Sequence, residues 1–134
     1  MKKFLLLLLA VVLSAVSLPA RTLSVGNGDF RSDLTFRSHR FTGAVFTDLQ
    51  SGRVLTADTQ APLFELCIDG RTITSADPVW NYAGQSRRSL VNGGTLVSFK
   101  FRGRGALRGL KLVWDREVFP DDAFVRERLR LQSG

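Results

Sequence analysis

Cysteine and histidine are almost missing from this sequence: Cys67 and His39 stand alone among 134 residues. A single thiol excludes an internal disulfide, so a hydrophobic core must hold whatever folds here. One histidine and one cysteine also argue against zinc, which needs clustered His, Cys, Asp or Glu ligands. Calcium held by loop aspartates has no supporting motif, so no metal and no cofactor is expected. No serine lies in a nucleophile-elbow sequence. The glycines punctuate hairpins rather than a strand-to-helix phosphate loop. Cys67 falls in the strand-like run Leu63–Ile68 and reads as a buried, inert thiol. Nothing in the sequence places His39 beside it.

Long apolar runs are also lacking, with one exception at the start. Lys2 and Lys3 precede an unbroken apolar run from Phe4 to Leu13, followed by small residues up to Ala20. That order fits a signal peptide, with a positive region, an apolar stretch of about ten residues and a small-residue cleavage site. Ala15-Val16-Ser17 fits the cleavage pattern, and a cut after Ala20 is the other candidate. A spanning helix needs roughly 20 apolar residues, and Pro19 interrupts the run too early. The expected organisation is a signal-peptide helix over 1–20 and a single domain over 21–134, exported to the periplasm or the outside of the cell. No membrane span is expected once the leader is cleaved.

Residues 21–134 carry 17 basic and 12 acidic side chains. A basic balance suggests nucleic acid or acidic polymers as partners. Here the arginines are scattered through strand-like segments. The densest cluster, Arg102-Gly103-Arg104-Gly105-Ala106-Leu107-Arg108, is short and lies between two apolar strands. No nucleic-acid partner is expected.

Helical periodicity is hard to find after the leader, whereas period-two alternation is everywhere. Strands are expected at Thr22–Val25, Leu34–Arg37, Ala44–Leu49, Val54–Ala57, Leu63–Ile68, Arg71–Ser75, Val79–Tyr82, Arg87–Val91, Thr95–Arg102, Leu107–Val118 and Phe124–Leu131. Asn27-Gly28-Asp29, Gln50-Ser51-Gly52-Arg53, Asn92-Gly93-Gly94 and Phe119-Pro120-Asp121-Asp122 supply turns. Asp69-Gly70 suits a type I′ hairpin, in which both central residues need φ > 0. Val97, Phe99 and Phe101 share one strand face, and Ser98 and Lys100 the other, as expected for a sheet with one side on a core. The expectation is an all-β, antiparallel β-sandwich of the super-sandwich type. A strong last strand runs straight into Gln132-Ser133-Gly134, so the sandwich is expected to be incomplete and to continue in a longer product.

Three constellations are candidates for chemistry. Asp121 with Asp122, and Asp115 with Glu117, are paired carboxylates of the kind a glycosidase uses. Asp in a Pro-led turn is favoured for backbone reasons, and Asp115 and Glu117 alternate with Arg116 as solvated charge. No catalytic residue is therefore assigned. Trp80 and Tyr82, at i and i+2 on one strand, form a candidate carbohydrate platform, the alternative being that Trp80 packs in the core and Tyr82 covers its edge. Trp114, among Leu110 and Leu112, reads as core.

The stretch Leu110–Leu131 contains Trp114-Asp115-Arg116-Glu117-Val118-Phe119-Pro120-Asp121-Asp122 and then an apolar–Arg alternation through Leu131. It resembles the N-terminal β-sandwich of exported glycoside hydrolases of the α-galactosidase (melibiase) type, where a strand ends in an aromatic-Pro-Asp turn. Phe41–Arg53 is similar to an early hairpin of such domains, and Leu63–Arg71 to the strand after it. The resemblance implies a sandwich that precedes a (β/α)₈ barrel, with both catalytic aspartates in the barrel. No catalytic residue carries over to this chain. The related aldose-mutarotase sandwich works with histidines and a glutamate, a pattern that His39 alone does not match. The implied role is a non-catalytic support for a C-terminal catalytic barrel, with carbohydrate as partner through the parent enzyme. The alternative is a free-standing exported carbohydrate-binding or cell-surface module.

Overall fold

The computed structural model describes residues 19–56 and 61–134. The leader expected over 1–20 therefore lies outside the described residues except for Pro19 and Ala20, and so does the expected strand end at Ala57. Ten strands make up the described chain: β1 Arg21–Gly26, β2 Phe30–Arg37, β3 Arg40–Asp48, β4 Val54–Thr56, β5 Glu65–Ile68, β6 Arg71–Thr74, β7 Trp80–Ser89, β8 Thr95–Gly103, β9 Leu110–Val118 and β10 Val125–Ser133. They form two four-stranded antiparallel sheets, β1-β2-β3-β4 and β7-β8-β9-β10, with β5 and β6 as a separate hairpin. Every hydrogen-bonded neighbour is also a sequence neighbour, so the fold is an all-β sandwich assembled from two meanders.

Alternation along the strands explains the packing. On β8 the side chains of Val97, Phe99 and Phe101 are buried. Phe99 stands opposite Trp114 of β9, and Phe101 opposite Leu112. The first sheet answers with Leu23, Val25, Leu34, Phe36 and Ala44. Phe36 stacks on Tyr82 with ring centroids 4.0 Å apart and lies 6.3 Å from Phe99. Such aromatic pairs add roughly 0.5–1.5 kcal/mol each beyond the area they bury. Phe64, just before β5, packs edge-on against Trp80 and Phe101 and closes one end of the core.

The Asp69-Gly70 turn has φ of 50° and 73°, and β5 pairs with β6 in register around it. Three other boundaries depart from the alternation. The expected strands Val79–Tyr82 and Arg87–Val91 merge into one continuous strand, β7, over Trp80–Ser89, leaving Val79, Leu90 and Val91 outside it. A register shift between Tyr82 and Gly84, with Gly84 at φ 113°, lets it bulge and continue. The β2–β3 hairpin turns on Ser38 and His39, both at positive φ (48° and 63°) without glycine. Gly105–Leu107 is a 3₁₀ turn, so β9 starts at Leu110.

Cys67 corrects an expectation. It is exposed, not buried. The β5–β6 hairpin lies outside both sheets and turns only one face inward, with Leu66, Ile68 and Ile73 against the core. Cys67 and its cross-strand partner Thr72 occupy the other face. In the folded protein, Cys67 should react stoichiometrically with a thiol reagent without denaturant. Protection of that thiol until unfolding would contradict this placement.

Candidate functional site

Trp80 and Tyr82 do project to the same side of β7, but that side faces the other sheet. Trp80 is 1 % exposed and Tyr82 is 7 % exposed. Phe64 and Phe36 occupy the positions against their rings. Neither ring presents an open face on which a sugar could stack; both lie in the core cluster. The Trp80 Nε1 and the Tyr82 hydroxyl are buried without a hydrogen-bond partner among the described residues.

A recess opens beside Tyr82. It has a volume of about 750 Å³ and is lined by Arg21, Phe36, Ser38, His39, Tyr82 and Gly84, with Pro19 and Ala20 along one side. The positive-φ turn at Ser38-His39 brings the imidazole here. The His39 carbonyl accepts a 2.6 Å hydrogen bond from the Tyr82 N–H. His39 Nδ1 lies 3.3 Å from the Tyr82 carbonyl oxygen, to which it donates in the Nδ1-protonated tautomer. The lining holds one imidazole, one phenol and no carboxylate. An apolar group would fit, but a hydrolytic acid–base pair is not assembled here.

Burial pushes the Tyr82 phenol above its ordinary pKa near 10, with a smaller opposing pull from Arg21. The unfolded phenol ionises near pH 10 and the folded one only at higher pH. Its contribution to stability is therefore complete below pH 10 and is lost as the pH rises past it. Tyr82 is the only tyrosine, so phenolate absorbance reports it alone. Tyr82→Phe removes a hydroxyl that has no partner. It should raise stability by about 1 kcal/mol and abolish the alkaline loss. A destabilised Phe variant would show that the hydroxyl has a partner after all.

Of the paired carboxylates, Asp115 and Glu117 are held in ion pairs. Asp115 is buried (7 % exposed). Its Oδ1 accepts from Ser98 Oγ at 2.6 Å, and Arg130 closes a bidentate pair through Nε at 2.9 Å and Nη2 at 3.2 Å. Asp115 does share a strand face with Glu117, but it is a satisfied ion pair and not a solvated charge. Glu117 pairs with Arg126 at 3.2 Å. Asp121 and Asp122 sit in the β9–β10 turn. Asn27 Nδ2 donates to the carbonyls of Phe119 and Asp122, both at 2.7 Å, while its Oδ1 caps the β1–β2 turn. The aromatic-Pro-Asp turn is thus a fastening between the two sheets. Among the described residues, no group of three His, Cys, Asp or Glu could hold a metal, and no helix is long and apolar enough to cross a membrane.

One polar residue not expected inside lies at the centre of the sandwich. Arg116 is 1 % exposed. Its Nη1 donates to Ser32 Oγ of the opposite sheet at 2.8 Å. The guanidinium lies 5.0 Å from the Trp114 ring centroid and 5.5 Å from that of Phe46. Nε is 2.9 Å from Glu127 Oε1, an ion contact whose N–H is not aligned for a hydrogen bond. Burial lowers the guanidinium pKa, and Glu127 partly restores it. The signal was available: Leu112, Trp114 and Val118 face inward, so period two puts Arg116 with them. Compared with known proteins, the chain matches no family model, no curated protein and no solved structure.

Proposed function

We propose that this chain is the non-catalytic N-terminal β-sandwich portion of an exported glycoside hydrolase of the α-galactosidase type, and that it supports a catalytic barrel absent from this chain. The observation that carries the reading is the inward face of β10. Leu129 and Leu131 stand opposite the buried Trp114 and Leu112, yet they are 40 % and 49 % exposed. Leu55 of β4, at the edge of the other sheet, is 63 % exposed, and Phe124, just before β10, is 55 % exposed. A sandwich whose inward-facing edge residues remain in water fits a domain that continues or docks. The resemblance of Leu110–Leu131 to the sandwich of that family makes a catalytic barrel the expected continuation. Asp115 and Glu117 are committed to ion pairs with Arg130 and Arg126, which agrees with a support role. The chain alone should hydrolyse no glycoside.

Reading the DNA beyond the Gly134 codon tests this directly. The expected result is coding sequence for a (β/α)₈ barrel. A stop codon followed by no barrel-coding sequence in any frame would contradict the proposal. The rival reading, a free-standing sugar-binding module, depends on Trp80 and Tyr82, and both of those rings are covered in the core.

A further inference from the structure

The arginines and lysines that look scattered along the sequence converge on one surface. In the second sheet, the outward positions alternate with the core positions Val97, Phe99, Phe101, Leu112 and Trp114. Cross-strand registers place Arg88, Lys100, Arg102 and Lys111 on that outward face, with Arg126, Arg128 and Arg130 of β10. All seven are exposed. The same face carries two acids, Asp115 and Glu117. Residues 21–134 hold 17 basic and 12 acidic side chains, so the remainder of the domain holds ten of each. The whole net charge of residues 21–134 therefore resides on one sheet face.

Both acids are already neutralised, Asp115 by Arg130 and Glu117 by Arg126. Among the described residues, Arg88, Lys100, Arg102, Lys111 and Arg128 have no carboxylate within ion-pair distance. Lys100, Arg102 and Lys111 lie toward the end where β8 connects to β9, Arg128 lies mid-sheet, and Arg88 lies at the opposite end. At the β8–β9 end Arg104, from the connecting loop, lies 3.4 Å from Asn81 of the same face. Adjacent strands are about 4.8 Å apart, and same-face residues on one strand about 6.6 Å apart. The result is a sheet face on which positive charges recur at roughly these intervals.

We propose that this face is a docking surface for an acidic polysaccharide, a linear chain bearing repeated carboxylates. Guanidinium groups match carboxylates bidentately, and recurring positive charge suits a repeating polyanion. The other polyanions fit less well. A four-stranded face cannot enter a major groove, which admits a helix or a two-stranded ribbon. Among the described residues, no outward position of β7 to β10 is aromatic, and the neighbouring Phe119 ring lies against Arg126 rather than open to stack unpaired bases. The apolar residues of the face, Leu96 and Val113, are buried or half-buried among the charged ones, and the exposed Phe124 beside β10 is too little to insert into a bilayer. The choice of polysaccharide over nucleic acid rests also on the proposed export; the charge distribution does not, and neither depends on the proposed barrel.

The test is binding by the full chain, secreted with its own leader, to polygalacturonate. Its methyl-esterified form, duplex DNA and anionic phospholipid vesicles serve as competitors. Expected are salt-sensitive binding to polygalacturonate and none to the esterified polymer. Lys100→Gln, Arg102→Gln, Lys111→Gln and Arg128→Gln together should weaken binding roughly tenfold or more. Arg37→Gln, Arg40→Gln, Arg53→Gln and Arg71→Gln, an equal loss of charge elsewhere, should leave it within about twofold. No binding, equal loss in both quadruple variants, or tighter binding to DNA or vesicles would overturn the proposal. Should the first quadruple variant fail to fold, the wild-type comparison of free and esterified polymer decides.

Discussion

Arg116→Ala should destabilise the domain by roughly 3–5 kcal/mol, a large part of the stability of a typical domain. The loss has two main sources. The side chain fills the space between Trp114 and Phe46 at the centre of the sandwich, and its removal leaves a cavity. Ser32, 0 % exposed, then loses the donor to its hydroxyl, at a cost of about 1–3 kcal/mol. The ion pair contributes little, because the Glu127 side chain is 44 % exposed and can return to water. A paired replacement separates these effects. Arg116→Met with Ser32→Ala removes both polar partners while keeping most of the volume, and should lie near or above wild-type stability. Urea unfolding of the three proteins decides it. An Arg116→Ala change below about 1 kcal/mol would mean the guanidinium is not buried as described.

The second large effect concerns association. Wild-type chain should self-associate at micromolar concentration, and Leu129→Lys with Leu131→Lys should return it to monomer. Both leucines are half-exposed on the inward face of an edge strand. An edge strand of nine residues also offers a row of unpaired backbone groups to a second chain. Arg126, Arg128 and Arg130 alternate with these residues on the outward face and oppose edge-to-edge pairing by charge repulsion. Added salt screens that repulsion within about 8–10 Å, so association should strengthen with ionic strength. The double lysine variant puts charge on both faces of β10 and should remain monomeric at any salt concentration. Neither substitution touches a fully buried position, so folding should survive.

The strands and the antiparallel sandwich class were legible because the alternation is strong and because Asp69-Gly70 and the other polar turns separate the segments. Less legible was anything set by the neighbouring element. The Ser38-His39 turn adopts positive φ at both residues without glycine or asparagine, so no local signal marked it. Cys67 sits in an apolar run, but only the position of the β5–β6 hairpin outside the sheets decides which side of that run meets water. Trp80 and Tyr82 share one face, as their spacing requires; that the face points inward depends on Phe36 and Phe64, which come from remote segments. The basic surface follows from period two once the registers of β7 to β10 are known. Along the sequence its members are separated by up to 42 positions, from Arg88 to Arg130, and look dispersed.

The unfinished inward face of β10 is the claim on which the functional reading rests, and sedimentation velocity on the purified full chain tests it most directly. The account predicts concentration-dependent association that the Leu129→Lys, Leu131→Lys variant abolishes. A wild-type chain that sediments as a single monodisperse monomer at all concentrations, and unfolds cooperatively, would contradict it.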